Sequence, residues 1–337
     1  MSRYQPPYTI TPEILGQVAA ISEAIGRLSV LTDQTKDLRL WRINRVRTIH
    51  GSLAIEGNTL SETQITAILE GKRVIAPPRE VQEVKNALAA YDRFETWQPQ
   101  SEQDLIEAHR VLMSGLIDEA GAYRQGGVGV MAGEQVIHMA PPADRVPQLM
   151  ADLFAWLVST DAHPLVASSV FHYEFEFIHP FADGNGRLGR LWQTLILSRW
   201  QPILAWLPVE TVVRQRQQDY YAALAQADAS SDCSGFIEFM LQAIADSLRE
   251  AIQAPMSVET SVETSVEMAV ERELSSPAQV LTALRRQPEL TLADVAKQIG
   301  RSLRTVERAA AKLQSQGKLR HEGPRKGGRW QVVGIEP

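Results

Sequence analysis

The run His179-Pro180-Phe181-Ala182-Asp183-Gly184-Asn185-Gly186-Arg187-Leu188-Gly189-Arg190 constrains the fold more than any other stretch, because a charged, glycine-rich turn has to sit between two apolar helices. Upstream, Leu165 to Phe177 is an apolar run of helix length, and Pro180 cannot continue a helix. Downstream, Leu188, Leu191, Leu195 and Ile196 recur at helical spacing toward Trp200. The expected order is helix, loop, helix, with His179 at the loop mouth and Asn185, Gly186 and Arg187 at a helix start.

Such a loop is suited to phosphate. Glycines let the backbone bend tightly and approach a ligand, while the first N–H groups of a helix and its positive dipole end attract an anion. His179 can accept a proton near neutral pH, and Asp183 suits a hard cation such as magnesium bound together with substrate phosphates. Arg187 and Arg190, three apart, project to one side of the helix start, where guanidinium forks bind phosphate oxygens. The bland alternative is a helix cap with a structural histidine, which needs neither a carboxylate nor paired arginines.

The string resembles the Fic family signature HxFx(D/E)GNGRxxR at every defined position. That resemblance implies transfer of AMP from ATP onto a hydroxyl side chain (Tyr, Thr or Ser) of a target protein. It implies His179 as general base, Asp183 as magnesium ligand, and Gly184, Asn185 and Gly186 as the cradle for the α and β phosphates. Arg190 then holds the γ-phosphate, and Arg187, Leu188 and Gly189 complete the ATP-binding loop. Doc-like kinases of the family carry Lys at the second glycine of GNG, so Gly186 favours nucleotidyl transfer over phosphorylation.

Farther upstream, Leu40, Ile43, Val46 and Leu53 mark a helical stripe from Asp37 to Ile55, and Gly57 is a common terminator. Glu56 therefore lies at a helix C-terminus, where the dipole disfavours a carboxylate, and this points to a cationic partner elsewhere. Ser52 to Asn58 resembles the family's inhibitory motif (S/T)xxxE(G/N). By that resemblance Glu56, with Ser52, engages Arg190 and withholds it from the γ-phosphate; alternatively Glu56 orients a water for removal of AMP.

Gly133 to Pro142 holds short β-prone pieces ended by a double proline, and it resembles the family's flap hairpin, with Val136, Ile137, His138 and Met139 near the nucleotide. An ordinary surface hairpin is the alternative. Val146 to Val158, which follows, reads as an amphipathic helix. Tyr220 and Tyr221 resemble the tyrosine pair bordering the family's adenine pocket, although aromatics at helical spacing also serve as core.

At 337 residues, 44% hydrophobic, the chain can bury a full core and still hold a second domain. The apolar stretch Leu191 to Leu207 is interrupted by Gln193, Ser198, Arg199, Gln201 and Pro202, so no membrane span is expected, and the N-terminus lacks a signal-peptide pattern. The one cysteine, Cys233, excludes an internal disulfide and a cysteine-rich zinc site, in keeping with the cytoplasm.

The net charge is −6, yet positions 285–329 hold twelve Lys or Arg against four Asp or Glu, a local +8 that leaves −14 elsewhere. Ser257 to Met268 reads SVET-SVET-SVEM; its glutamates, four apart, repel on a helix, so a linker is expected. Pro277 to Arg286, Thr291 to Ile299 and Ser302 to Gln316 read as three helices of a helix-turn-helix, and Lys318 to Val333 as the wing. Arg304, Arg308 and Lys312 make one face of the last helix basic, which suits DNA phosphates, or else a solvated face of a protein-docking module.

The expected fold class is mainly α: a Fic-type helical core with a β-hairpin flap, plus a small C-terminal winged-helix (α+β) domain. The expected organisation is an N-terminal helical region, 1–95, a catalytic core, 96–254, a linker, 255–275, and a winged helix-turn-helix, 276–337. Two function classes stand: an autoinhibited protein adenylyltransferase using ATP and Mg2+, or a DNA-binding regulator whose Fic core senses nucleotide or removes AMP. A target protein is the expected partner, DNA a second one through the C-terminal domain, and a homodimer is left open.

Overall fold

A computed structural model describes residues 4–33, 38–127, 129–132, 135–253, 280, 283–284, 290–298, 302–316, 318–322 and 329–332. The chain divides into two compact units, 1–253 and 254–337. The first is helical: α1 (Pro12–Asp33), α2 (Leu38–Ile55), α3 (Glu62–Leu69), α4 (Pro78–Arg93), α5 (Glu102–Leu112), α6 (Val146–Ser159), α7 (Pro164–Ile178), α8 (Asn185–Trp200), α9 (Val209–Gln215), α10 (Gln217–Ser230) and α11 (Ser234–Gln253). An antiparallel hairpin, β1 (Gly129–Ala132) and β2 (Gln135–Met139), lies between α5 and α6, with a bulge between Val130 and Met131.

Local sequence explains the boundaries. Ser61 and Gln64 cap α3 reciprocally, and the Ser101 hydroxyl accepts the Asp104 N–H at the start of α5. Prolines occupy the first turns of α4, α6 and α7, where a missing N–H costs nothing. Gly57, just past α2, has φ 89°, a left-handed stop that a side chain resists.

α7 and α8 form the centre. Phe171 and Phe175 on α7, Trp192 on α8, Trp156 on α6, Tyr220 on α10 and Phe236 on α11 are all fully buried in one core. Ile14, Ile21, Ile25 and Leu28 of α1 join that same core with Ile244 and Leu248 of α11, so the residues before and after position 95 fold as one body. α2, α3 and α4 close a smaller cluster around Ile49, Ile65 and Val84.

In the second unit, α12 (Leu292–Gln298) and α13 (Leu303–Ser315) precede an antiparallel pair, β3 (Leu319–Glu322) and β4 (Arg329–Val332). Val295, Val306, Ala310, Leu313 and Leu319 share a buried cluster with Val280, Ala283 and Leu284. The expected linker 255–275, most of the helix expected at Pro277 to Arg286 and the tip of the expected wing, 323–328, lie outside the described residues. No described helix is long and apolar enough to cross a membrane.

Candidate active site

The loop between α7 and α8 is shaped by two residues in left-handed backbone conformations. His179 caps α7 at φ 47°, ψ 62°, donating its N–H to Phe175 O at 2.9 Å. Gly184 precedes α8 at φ 87°, where any side chain is strained, and a Cβ there would also push on Met113 Sδ at 2.6 Å. Between them Asn185 folds back: its Oδ1 accepts the Phe181 N–H and its Nδ2 donates to Phe181 O, both at 2.9 Å. Its side chain is thereby used to close the turn.

Two buried side chains hold the loop from outside. The Arg124 guanidinium donates to the carbonyls of His179 (2.7 Å), Ile178 (3.2 Å), Pro141 (2.5 Å) and Gly126 (2.8 Å). It thus ties the end of α7 to the residue that follows the hairpin. His109, on α5, stacks on Phe181 with ring centroids 3.7 Å apart. It accepts the Gly121 N–H at Nδ1 (2.8 Å), which fixes the tautomer so that Nε2–H donates to the Asp183 carbonyl (2.9 Å). Burial lowers its pKa to about 4, so it stays neutral. Neither residue carries a recognisable pattern in the sequence; His109 falls on the apolar face of α5, beside Leu105, Ala108 and Leu112.

The charges meet on the first turn of α8. Asp183 Oδ1 accepts from the Gly184 N–H (2.6 Å) and from Arg187 (2.8 Å), and Oδ2 lies 3.0 Å from Arg79 of α4. Arg187 is buried and also approaches Glu83 at 3.6 Å. Arg190, 3% exposed, donates to Ser52 Oγ (3.1 Å), Ser52 O (3.0 Å) and Glu56 Oε1 (2.7 Å). The Glu56 carboxylate leans over Gly186, where an added Cβ would come within 2.3 Å of Oε1. The cationic partner required by a carboxylate at the end of α2 is therefore Arg190.

Glu56, Gly186, Arg190 and His179 line one solvent-open cleft of about 630 Å3, together with Tyr220 and Tyr221. Tyr220 is fully buried, its hydroxyl 3.1 Å from His172 Nε2, while Tyr221 is half-buried. His172 is held neutral, its pKa lowered to about 3 by burial. His179 Nδ1 faces Glu176 Oε2 at 3.9 Å. Leu188 points into the core with its N–H on Gly184 O, and Gly189 lets α8 approach His172 and Phe175 of α7, so both serve helix packing. Val136, Ile137, His138 and Met139 lie on β2, where side chains are outside the described ones.

On the loop itself the carboxylate open to a hard cation is that of Asp183, 39% exposed. Among the described residues no group of three His, Cys, Asp or Glu is placed to hold a metal ion, so a hard cation at Asp183 would take its other oxygens from substrate phosphates and water. In the second unit Arg304, Arg308 and Lys312 all lie exposed on α13, opposite its buried Val306, Ala310 and Leu313.

A histidine at a helix end, a glycine turn feeding a second helix, and arginines on its first turns are joined in one helix–turn–helix site. The chain belongs to the Fic family. The Fic/DOC family profile matches residues 99–197, and a crystal structure of a Fic family protein from Desulfovibrio desulfuricans G20 is 50% identical, covering 99% of this chain and 100% of that one at a TM-score of 0.75. Protein adenylyltransferase Fic of Nematostella vectensis is 34% identical over 204 residues, 57% of this chain and 45% of that protein. The match to protein adenylyltransferase fic-1 of Caenorhabditis elegans, 32% identical, covers 57% of this chain and 38% of the relative. The chain thus spans less than half the length of these curated relatives.

Proposed function

We propose that this protein is an autoinhibited protein adenylyltransferase that transfers AMP from ATP to a Tyr, Thr or Ser hydroxyl of a target protein. The proton of that hydroxyl passes to His179, with Nε2 in the role because Nδ1 faces Glu176. The oxygen bonds to the α-phosphorus, the bridge to the β-phosphate breaks, and its electron pair leaves with pyrophosphate. The backbone from Gly184 to Gly186 cradles the α and β phosphates at the helix start, and Arg190 holds the γ-phosphate. Asp183 would hold magnesium, which supplies positive charge against the phosphate oxygens when bound. Tyr221 offers the adenine a half-buried face, and β2 aligns the target by backbone pairing.

One observation carries the reading: the same guanidinium that the reaction needs lies 2.7 Å from Glu56, whose carboxylate fills the space over Gly186. While that pair stands, the γ-phosphate lacks its partner. Glu56→Gly is therefore expected to raise labelling of the protein or its target by α-labelled ATP, and labelling equal to wild type refutes the inhibitory role. His179→Ala in that background should keep nucleotide binding and lose labelling; a labelling-competent double variant excludes His179 as the base.

Glu56 shares the cleft with His179, which favours a second reading in which it orients a water and AMP is removed from modified proteins. Release of AMP from a pre-modified target by wild type but not by Glu56→Gly distinguishes this direction. For the C-terminal unit, the exposed basic stripe of α13 supports contact with DNA phosphates.

A further inference from the structure

Asp183 is already partnered on both oxygens by cations of the chain itself. Arg187 is one, buried on the first turn of α8, and its reach to Oδ1 is part of the loop's own architecture. Arg79 is different. It comes from the first turn of α4, it is 57% exposed, and it meets the outer oxygen, Oδ2, at 3.0 Å across a carboxylate 39% exposed. Oδ2 is the oxygen that a hard cation arriving from solvent would take, so a guanidinium stands where the metal charge belongs.

Arg79 also has a second partner in place. Its Nε lies 3.4 Å from Glu83 Oε1, one turn along α4. Glu83 is held in turn by Asn58, which donates to its Oε2 at 2.8 Å, and Thr59 is bound through both N–H and hydroxyl to Glu80. The first turn of α4 is thus fastened independently of Asp183, so Arg79 can let go of Oδ2 and remain paired with Glu83 without any helix moving.

We propose that Arg79 is a removable internal counter-ion of Asp183, which keeps free divalent cations off the carboxylate until they arrive with a nucleotide. This rests on the reading of Asp183 as the metal ligand. A bare cation must displace a guanidinium and then tolerate its charge nearby; a cation carried by phosphates brings compensating negative charge with it. An exposed ion pair is a modest barrier, so the predicted effect is a bias of about three- to tenfold in cation affinity and not an absolute block.

The test is Mn2+ binding to the nucleotide-free protein, followed by the loss of the free-ion paramagnetic resonance signal. Arg79→Gln should tighten Mn2+ by that factor, Arg79→Lys should stay near wild type because the charge is retained, and Asp183→Asn should bind least of all. With a non-hydrolysable ATP analogue present, the gap between Arg79→Gln and wild type should narrow. Equal Mn2+ affinity in Arg79→Gln and wild type, with Asp183→Asn impaired, overturns the role of Arg79 while sparing the ligand assignment. If Asp183→Asn binds as wild type does, the ligand assignment fails first. No binding by Arg79→Gln at millimolar Mn2+ also overturns the proposal. Unchanged melting temperatures for the exposed Arg79 variants separate these outcomes from misfolding.

Discussion

Burial strips water from His109 and His172, and the charged imidazole loses more by that than the neutral one. Their folded pKa values, about 4 and about 3, fall below the ordinary 6.5, so between those limits the unfolded chain binds protons that the folded chain does not. Their contribution is complete above pH 6.5 and is lost as pH falls toward 4 and then 3. Glu174 and Glu210 oppose this: burial raises both to about 7, and their contribution, complete below 4.5, fades as pH rises through 7. His109→Gln should therefore flatten the acid side of a melting-temperature profile, whatever it does to the plateau; an unchanged slope between pH 6.5 and 4 contradicts the neutral assignment. Gly184→Ala combines a left-handed φ with the 2.6 Å approach to Met113, and a loss of about 1 to 3 kcal/mol by denaturant titration is expected. Glu56→Gly leaves Arg190 buried without its carboxylate, so the variant expected to be more active should also be less stable, by about 1 to 2 kcal/mol since Glu56 is one-third exposed.

At the scale of elements, α2 has to be held against the catalytic unit for Glu56 to reach α8. A glycine makes the contact: a Cβ at Gly51 would meet the backbone of Glu210 at 2.7 Å and of Thr211 at 2.8 Å, at the start of α9. Gln217 of α10 adds a hydrogen bond to Ile55 O at 2.9 Å. Gly51→Ala should push α2 off α9 and raise labelling in the same direction as Glu56→Gly, though less; labelling at or below wild type, with melting unchanged, contradicts that seating. The sequence made α2, α7 and α8 legible through periodicity, Pro180 and Gly57. A carboxylate at a helix C-terminus made the need for a cation legible, while the choice of Arg190 came from the resemblance of Ser52 to Asn58 to the family's inhibitory motif. His109, Arg124 and Arg79 were not legible, since their partners at the loop lie 74, 55 and 104 residues away and only packing brings them together.

For the whole molecule, the charge read from composition is uneven, +8 over 285–329 against −14 elsewhere. If α13 contacts DNA, replacing Arg304, Arg308 and Lys312 together should weaken duplex binding and reduce its dependence on log salt by about one unit per residue. Absence of a mobility shift at low salt removes DNA from the picture. The twelve-residue run from His179 to Arg190 was legible because its chemistry is contiguous, whereas its scaffold draws on α4, α5 and the turn before β1. The seat of Glu56 over Gly186 carries a consequence for how such a chain can change over generations. A methyl group at 186 would meet the Glu56 carboxylate and the Arg190 guanidinium, so it enters only if that pair shifts, whereas loss of the carboxylate brings no new atom into the turn. The two sites are therefore linked: a single substitution at 56 discards the restraint, and its return is easiest where 186 has kept its bare hydrogen.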